Sequence, residues 1–397
     1  VFGYNEKMDA SSMEVHNMIY FDNSATTKPY KEVLDTYIAV SEQFFGNPSS
    51  IHKLGGKSEK LLTKAREQIA ELLDVQSSEI IFTSGGTEGN NLAIKGTAMM
   101  HRSRGKHLIT TEIEHPSIYE AYKQLEELGF EVTYLSPDEN GFISVENVKN
   151  ALREDTILVS IIHVNNETGA IQPIKDIGQL LAEYPKVFFH VDAVQGIGKV
   201  QLDIKQSAID LLTISGHKFH SVKGTGILYI REGVTLSSLL TGGSQEREIR
   251  SGTENLAGIA AMAKALRITL EKQDKMKNHL ISMRNELLQH LMKMEGTVIN
   301  SPETNFAPHI LNISFVGLKP EVIVHALSEE NVFISTKSAC SSKTFEISRV
   351  LQSMGKSEKV AGSAIRISLS YENTMEEVKK FNQIIEEVIK NLYKVMR

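Results

Sequence analysis

The sequence predicts an α/β fold: a large domain with a mainly parallel sheet covered by helices on both faces, followed by a smaller α+β domain. Three observations carry this expectation. Short, continuous apolar runs such as Ile157 to Ile162 recur through the first part of the chain and alternate with stretches of helical spacing. Strands buried on both faces read as such runs, so a helix-covered parallel sheet follows. The turns leaving these runs are rich in Gly, Ser, Thr and Asn, as at Ser84-Gly85-Gly86-Thr87.

Taken in order, Ile19-Tyr20-Phe21 reads as a short strand and Asp22-Asn23-Ser24-Ala25-Thr26-Thr27 as a polar turn, with a second break at Gly46-Asn47-Pro48-Ser49-Ser50. Leu61, Leu62, Ala65, Ile69 and Leu72 predict a helix from about Gly56 to Leu73. Ile80 to Thr83 reads as a strand, Ser84 to Asn90 as a turn and Asn91 to Met100 as a helix. Further strands are expected at His107 to Thr111, Val132 to Leu135, Ile157 to Ile162, Val187 to Val191, Asp210 to Ile214 and Ile227 to Arg231, with helices at Ser117 to Leu128 and Ile174 to Ala182. From Leu256, the residues Ile259, Ala263, Leu266 and Leu270 step by three and four, and Leu280, Met283, Leu287 and Leu291 continue in a second phase. A connecting helix over about 256–293 then divides a large domain, 18–260, from a small one, 261–397. In the small domain, strands near Ile310 to Phe315 and Ile365 to Leu369 and helices at Glu321 to Leu327 and Met375 to Lys394 are expected. Val1 to Asn17 is polar, aperiodic and without an initial Met, and is expected to be an N-terminal extension or a tag remnant.

Composition narrows the function. The 397 residues carry 43 Lys and Arg against 49 Asp and Glu, a net charge of −6 with no long run of either sign. That balance argues against a nucleic-acid groove. No apolar segment is long enough to cross a bilayer and no signal-like segment opens the chain, so a cytoplasmic protein is expected. A single cysteine, Cys340, excludes an internal disulfide and a multi-Cys metal site, and the 13 His show no metal-ligand spacing.

The chemistry is expected around Ser215-Gly216-His217-Lys218, where an apolar run ends at a glycine and hands over to a His-Lys pair. Such a lysine also reads as an ordinary surface residue. Placed at the carboxyl edge of a sheet and away from bulk water, however, its amine can lose its proton and condense with an aldehyde cofactor. Pyridoxal phosphate would need a carboxylate facing its ring nitrogen, amides and hydroxyls for its phosphate, a stacking partner and a donor to its phenolic oxygen. Asp192 suits the first need, and Gly86, Thr87, Ser215 and His217 the second. His115 and Gln195 suit the last two. Each has a plainer reading: an N-capped connection at Gly86-Thr87, a helix cap at Asp192, a core imidazole at His115, a surface amide at Gln195. Cys340 alone reads as a small buried hydrophobe, but its neighbours Lys337, Ser338, Ser341, Ser342 and Lys343 point to an exposed thiol near positive charge.

The segments Asp22-Asn23-Ser24-Ala25-Thr26-Thr27, Phe45-Gly46-Asn47-Pro48-Ser49-Ser50, Phe82-Thr83-Ser84-Gly85-Gly86-Thr87-Glu88, Glu114-His115-Pro116, Asn165-Asn166-Glu167-Thr168-Gly169, His190-Val191-Asp192, Ser215-Gly216-His217-Lys218 and Ser338-Ala339-Cys340 resemble, in order, the cysteine desulfurases of the NifS/IscS type. These are fold-type I pyridoxal-phosphate enzymes related to class V aminotransferases. The resemblance implies a homodimer in which Thr253 reaches the phosphate in the neighbouring subunit's site. It also implies that Arg366 holds the substrate carboxylate and that Asn166 lies near the substrate and the phenolic oxygen. The expected reaction takes L-cysteine to alanine, with Lys218 moving the α-proton, His115 relaying a proton and Cys340 taking the sulfur as a persulfide. A sulfur-acceptor protein, for iron–sulfur cluster assembly or for thiolation of tRNA or a cofactor, would then receive it. Selenocysteine lyase or class V aminotransferase chemistry, and a non-catalytic sulfur-transfer scaffold, are the rival readings.

Overall fold

The computed structural model describes residues 18–336 and 347–396. The chain begins with β1 (Ile19–Tyr20), α1 (Lys31–Gln43), α2 (Lys53–Leu72), β2 (Ile80–Thr83) and α3 (Gly86–His101). Strands and helices then alternate through β3 (His107–Thr111), α4 (Pro116–Glu127), β4 (Glu131–Leu135), α5 (Val145–Ala151), β5 (Thr156–Ile162), α6 (Ile174–Leu181) and β6 (Phe188–Asp192). Next come β7 (Leu211–Ser215), β8 (Gly226–Ile230) and the long α7 (Leu256–Leu291). The rest comprises β9 (Thr297–Ile299), β10 (Ile310–Phe315), α8 (Pro320–Glu329), β11 (Val332–Phe333), α9 (Arg349–Ser353), α10 (Glu358–Ala361), β12 (Ala364–Ser368) and α11 (Met375–Met396).

Seven strands form one sheet in the order β2-β8-β7-β6-β5-β3-β4. β8 pairs antiparallel with both β2 and β7 and every other pairing is parallel, so β8 alone is reversed. The sheet is therefore mainly parallel, as expected. β3, β5, β6, β7 and β8 are buried along their whole length, which is why their sequences are continuous apolar runs rather than alternating ones. Because β2, β3, β5, β6 and β7 run the same way, their carboxyl ends meet at one edge.

Among the described residues, the two largest of four hydrophobic clusters do not divide at residue 260. Leu256, Ile259, Met262 and Leu266 of α7 pack into the first core, and Leu280, Met283, Leu287 and Leu291 into the second. Ile19 and Phe21 also belong to the second core, because β1 pairs in parallel with β11. Val350, Leu351 and Ala364, from the C-terminal part, return to the first. The expected strand 19–21 is thus real but lies outside the large sheet. The helix expected at Asn91 begins at Gly86, and α1 was not anticipated. No helix among the described residues is long and apolar enough to cross a membrane.

Several imidazoles are buried in this fold. Burial pushes His115, His163 and His217 down to about 4, and His190 and His220 down to about 3. A base whose folded value lies below its unfolded value of about 6.5 takes up protons first in the unfolded chain, so each destabilises the fold as pH falls below about 6.5. Glu114, pushed up to about 8 by burial, works oppositely, holding a proton that the unfolded chain releases above about 4.5. These five imidazoles, joined by His101, His107 and His309, outnumber the carboxyls that burial raises, Glu114, Asp192 and Asp210. Calorimetric Tm is expected to fall steadily between pH 6.5 and pH 4, each imidazole contributing up to ~1.4 kcal/mol per pH unit. A Tm that rises over that window contradicts neutral buried imidazoles.

Candidate active site

The nucleophile candidate is positioned by backbone geometry. β7 ends at Ser215, and Gly216–Lys218 makes a single tight turn. A Cβ on Gly216 would lie 2.3 Å from Thr225 Oγ1, so only glycine lets the chain turn here. The Lys218 amine donates to the carbonyl oxygens of Ser24 and Ala25 at 2.6 and 2.7 Å. Behind it, the wholly buried Lys199 donates to the Lys218 carbonyl at 2.8 Å, and burial followed by the Lys218 charge pushes the Lys199 amine down to about 7.

The other strand ends converge on the same place. A cavity of about 140 Å³ is lined by Gly86, Thr87, His115, Asn166, Asp192, Gln195, Ser215, His217, Lys218 and Arg366, among others. Of the expected site residues, Thr253 is the described one that stands apart: it is exposed and outside this cavity. Cys340 lies outside the described residues.

Gly85 caps α3 at φ 153°, a conformation side-chain-bearing residues rarely adopt, and so aims the first turn of α3 at the cavity. The N–H groups of a first helical turn lack intrahelical partners, and with the helix dipole they favour an anion. Asp192 is buried and accepts from Val194 N and Asn90 Nδ2, each at 2.9 Å. Burial raises its carboxyl above the ordinary range, while the Val194 and Asn90 bonds and the Lys218 charge oppose that rise. His115 caps α4, and its Nδ1 accepts from Ser117 N at 3.2 Å. Nδ1 is therefore unprotonated, and the proton of the neutral ring sits on Nε2. Gln195 Nε2 donates to Ser24 O at 3.0 Å, and His217 Nδ1 lies 3.2 Å from Thr26 Oγ1.

Arg366 enters from the second core. Its guanidinium is almost wholly buried and donates to Asn166 O at 2.9 Å, Asp22 Oδ1 at 3.0 Å and Ser335 Oγ at 2.8 Å, leaving Nε without a partner among the described residues. Sequence reasoning missed Asn90, Asp22 and Lys199. Asn90 and Asp22 lay within motifs that were read as turns, whereas Lys199 stands two residues after Ile197 with no polar cluster to mark it. No group of three or more His, Cys, Asp or Glu placed to hold a metal occurs among the described residues.

This fold and this site define a class: residues 19–381 match the aminotransferase class-V family, and the chain belongs to it. Within that class it is similar to a NifS/IcsS protein homolog of Lactobacillus delbrueckii subsp. bulgaricus, 46% identical over 95% of this chain and 99% of that protein. It is also similar to a cysteine desulfurase IscS of Methanosarcina thermophila, 42% identical over 94% of this chain and 92% of that protein. A solved structure described as a NifS-like protein superposes with a TM-score of 0.89 at 38% identity, covering 94% of this chain and 99% of that one.

Proposed function

We propose that this chain is a pyridoxal-phosphate-dependent cysteine desulfurase, releasing alanine from L-cysteine and taking the sulfur onto Cys340. The observation that carries this reading is the convergence of Lys218, Asp192, His115 and Arg366 on one cavity. The donor set suits the cofactor. Lys218 would hold it covalently, Asp192 would face its ring nitrogen, and Gly86, Thr87, Ser215 and His217 would receive its phosphate. His115 would stack on the ring, and Gln195 and Asn166 would meet the phenolic oxygen. Asn90 Oδ1, buried next to Asp192 and without a partner among the described residues, supports a group with a donor binding here. Bound there, the cofactor supplies an electron sink that loosens bonds at the substrate α-carbon and lets sulfur depart.

The chain's own groups do the rest. Arg366, clamped by Asp22 and Ser335, presents a fixed guanidinium to the substrate carboxylate. The Lys218 amine would accept the substrate's α-proton. His115, neutral at physiological pH, carries the proton on Nε2 and would offer it to the substrate sulfur. The Cys340 thiolate forms an S–S bond to the substrate sulfur as the C–S bond breaks. The bond pair stays with the β-carbon, which takes up a proton to become the methyl of alanine. The persulfide is then passed to an acceptor protein for iron–sulfur cluster assembly or thiolation.

The exposed apolar side chains Leu34, Tyr37, Ile38, Phe45 and Ile51 support association with a second copy, in which Thr253 reaches the neighbouring phosphate site. Cys340→Ser is expected to keep the bound cofactor's colour and its spectral response to cysteine while losing sulfide release under reductant. Undiminished sulfide release from that variant sinks the persulfide step.

A further inference from the structure

Arg349 stands at the first position of α9, far along the chain from the strand ends, yet its guanidinium grips one of them. Nε donates to Glu112 O at 3.0 Å and Nη2 to Glu114 O at 2.7 Å. These carbonyls lie in the turn between β3 and α4, immediately before His115. The same guanidinium stacks over the Tyr119 ring, 3.6 Å from its centroid, and Tyr119 lies in the first turn of α4 with its N–H bonded to His115 O at 3.1 Å. Arg349 thus holds the residues on both sides of the imidazole. Its neighbour Ser348 caps α9 and donates to Glu167 Oε2 at 2.5 Å, anchoring the α9 N-terminus to the turn that carries Asn166.

We propose that Arg349 is a positioning residue for His115, fixing the turn that presents the imidazole to the reacting atoms. A planar guanidinium can engage two carbonyls and stack on a ring at once, whereas an ammonium can do neither pairing as a unit. The clamp also acts electrostatically. The charged and titratable groups facing His115 are Lys218 and His217 from the turn after β7, Asp192 from β6, Arg366 from β12, Glu114 beside it and Arg349 from α9. The cations Lys218, Arg349 and Arg366 add to burial in keeping the ring neutral.

This inference rests on the reading that His115 meets the cofactor and the substrate thiol, so the test runs His115→Gln beside Arg349→Met and Arg349→Lys, all as holoenzymes corrected for cofactor content. In Arg349→Met, kcat is expected to drop on the order of 10–100-fold with KM for cysteine within about twofold, because Arg366 still holds the carboxylate. The acid limb of kcat/KM is expected to move up by roughly one pH unit as one cation leaves, and the visible circular dichroism of the bound cofactor to change. Arg349→Lys should return the acid limb to its place while kcat stays depressed. If His115→Gln is slowed and Arg349→Met is wild type in kcat, acid limb and dichroism, the positioning role is overturned and the reading of His115 stands. Losses in Arg349→Met that only track lost cofactor or folded fraction overturn it equally. If His115→Gln itself is unimpaired, the reading and the inference fall together. Should Arg349→Met not fold, Arg349→Lys decides alone: a wild-type kcat and dichroism in that variant refute the two-carbonyl clamp.

Discussion

Lys218→Ala is expected to yield folded protein that carries no borohydride-reducible cofactor linkage and releases sulfide at least ~10³-fold more slowly than the parent. The side chain is half-buried and donates to Ser24 O and Ala25 O, both at the cavity wall. Water can satisfy those carbonyls once the amine is gone, so stability should change little. Chemistry loses both the point of attachment and the base. The informative alternative is Lys199, the buried amine held against the Lys218 carbonyl and pushed down to about 7. A reduced peptide from wild-type protein that maps to Lys199, with Lys218 unlabelled, reassigns the nucleophile.

The second large effect is expected at Asp192. As an acceptor-only carboxylate it takes N–H groups from Val194 and Asn90. In Asp192→Asn the new amide can accept from one of them but turns its own NH2 toward the other, and it cannot offset a positive ring nitrogen. Sulfide release should fall on the order of 100-fold or more, with cofactor still bound. The apo-protein should change little in stability, because relief of a carboxylate that burial disfavours offsets the buried donor left facing the new NH2. Wild-type turnover in this variant contradicts the role assigned to Asp192.

Most of the large sheet was legible because buried strands must be continuously apolar, and β3 and β5 fell within a residue of their expected bounds. Most residues lining the candidate cavity were legible because polar residues at strand ends are few and their order specific. What stayed hidden depends on contacts remote in sequence. β1 is two residues long and gains its meaning only by pairing with β11. The reversal of β8 leaves no mark on an apolar run that reads alike in either direction. α1 escaped notice because Val33 and Val40 are buried while Leu34, Tyr37 and Ile38 are exposed, so no single apolar stripe stands out. α3 begins earlier than its apolar spacing suggests, since Gly86, Thr87, Gly89 and Asn90 are poor helix formers held by the Gly85 bend. The reach of Arg349 to Glu112 and Glu114 had no local signature at all.

The 36-residue α7 gives the molecule a fixed angular relation between its halves. Each residue advances a helix by about 100°. One amino acid inserted between Leu266 and Leu280 would therefore swing the Leu280-Met283-Leu287-Leu291 ridge away from the side it now shares with β10 and β12, carrying Arg366 out of alignment with Lys218. Three or four inserted together nearly complete a turn and recover that orientation, but at about 1.5 Å of rise per residue they also slide the ridge along the axis by ~5 Å, so Arg366 is displaced by translation instead of rotation.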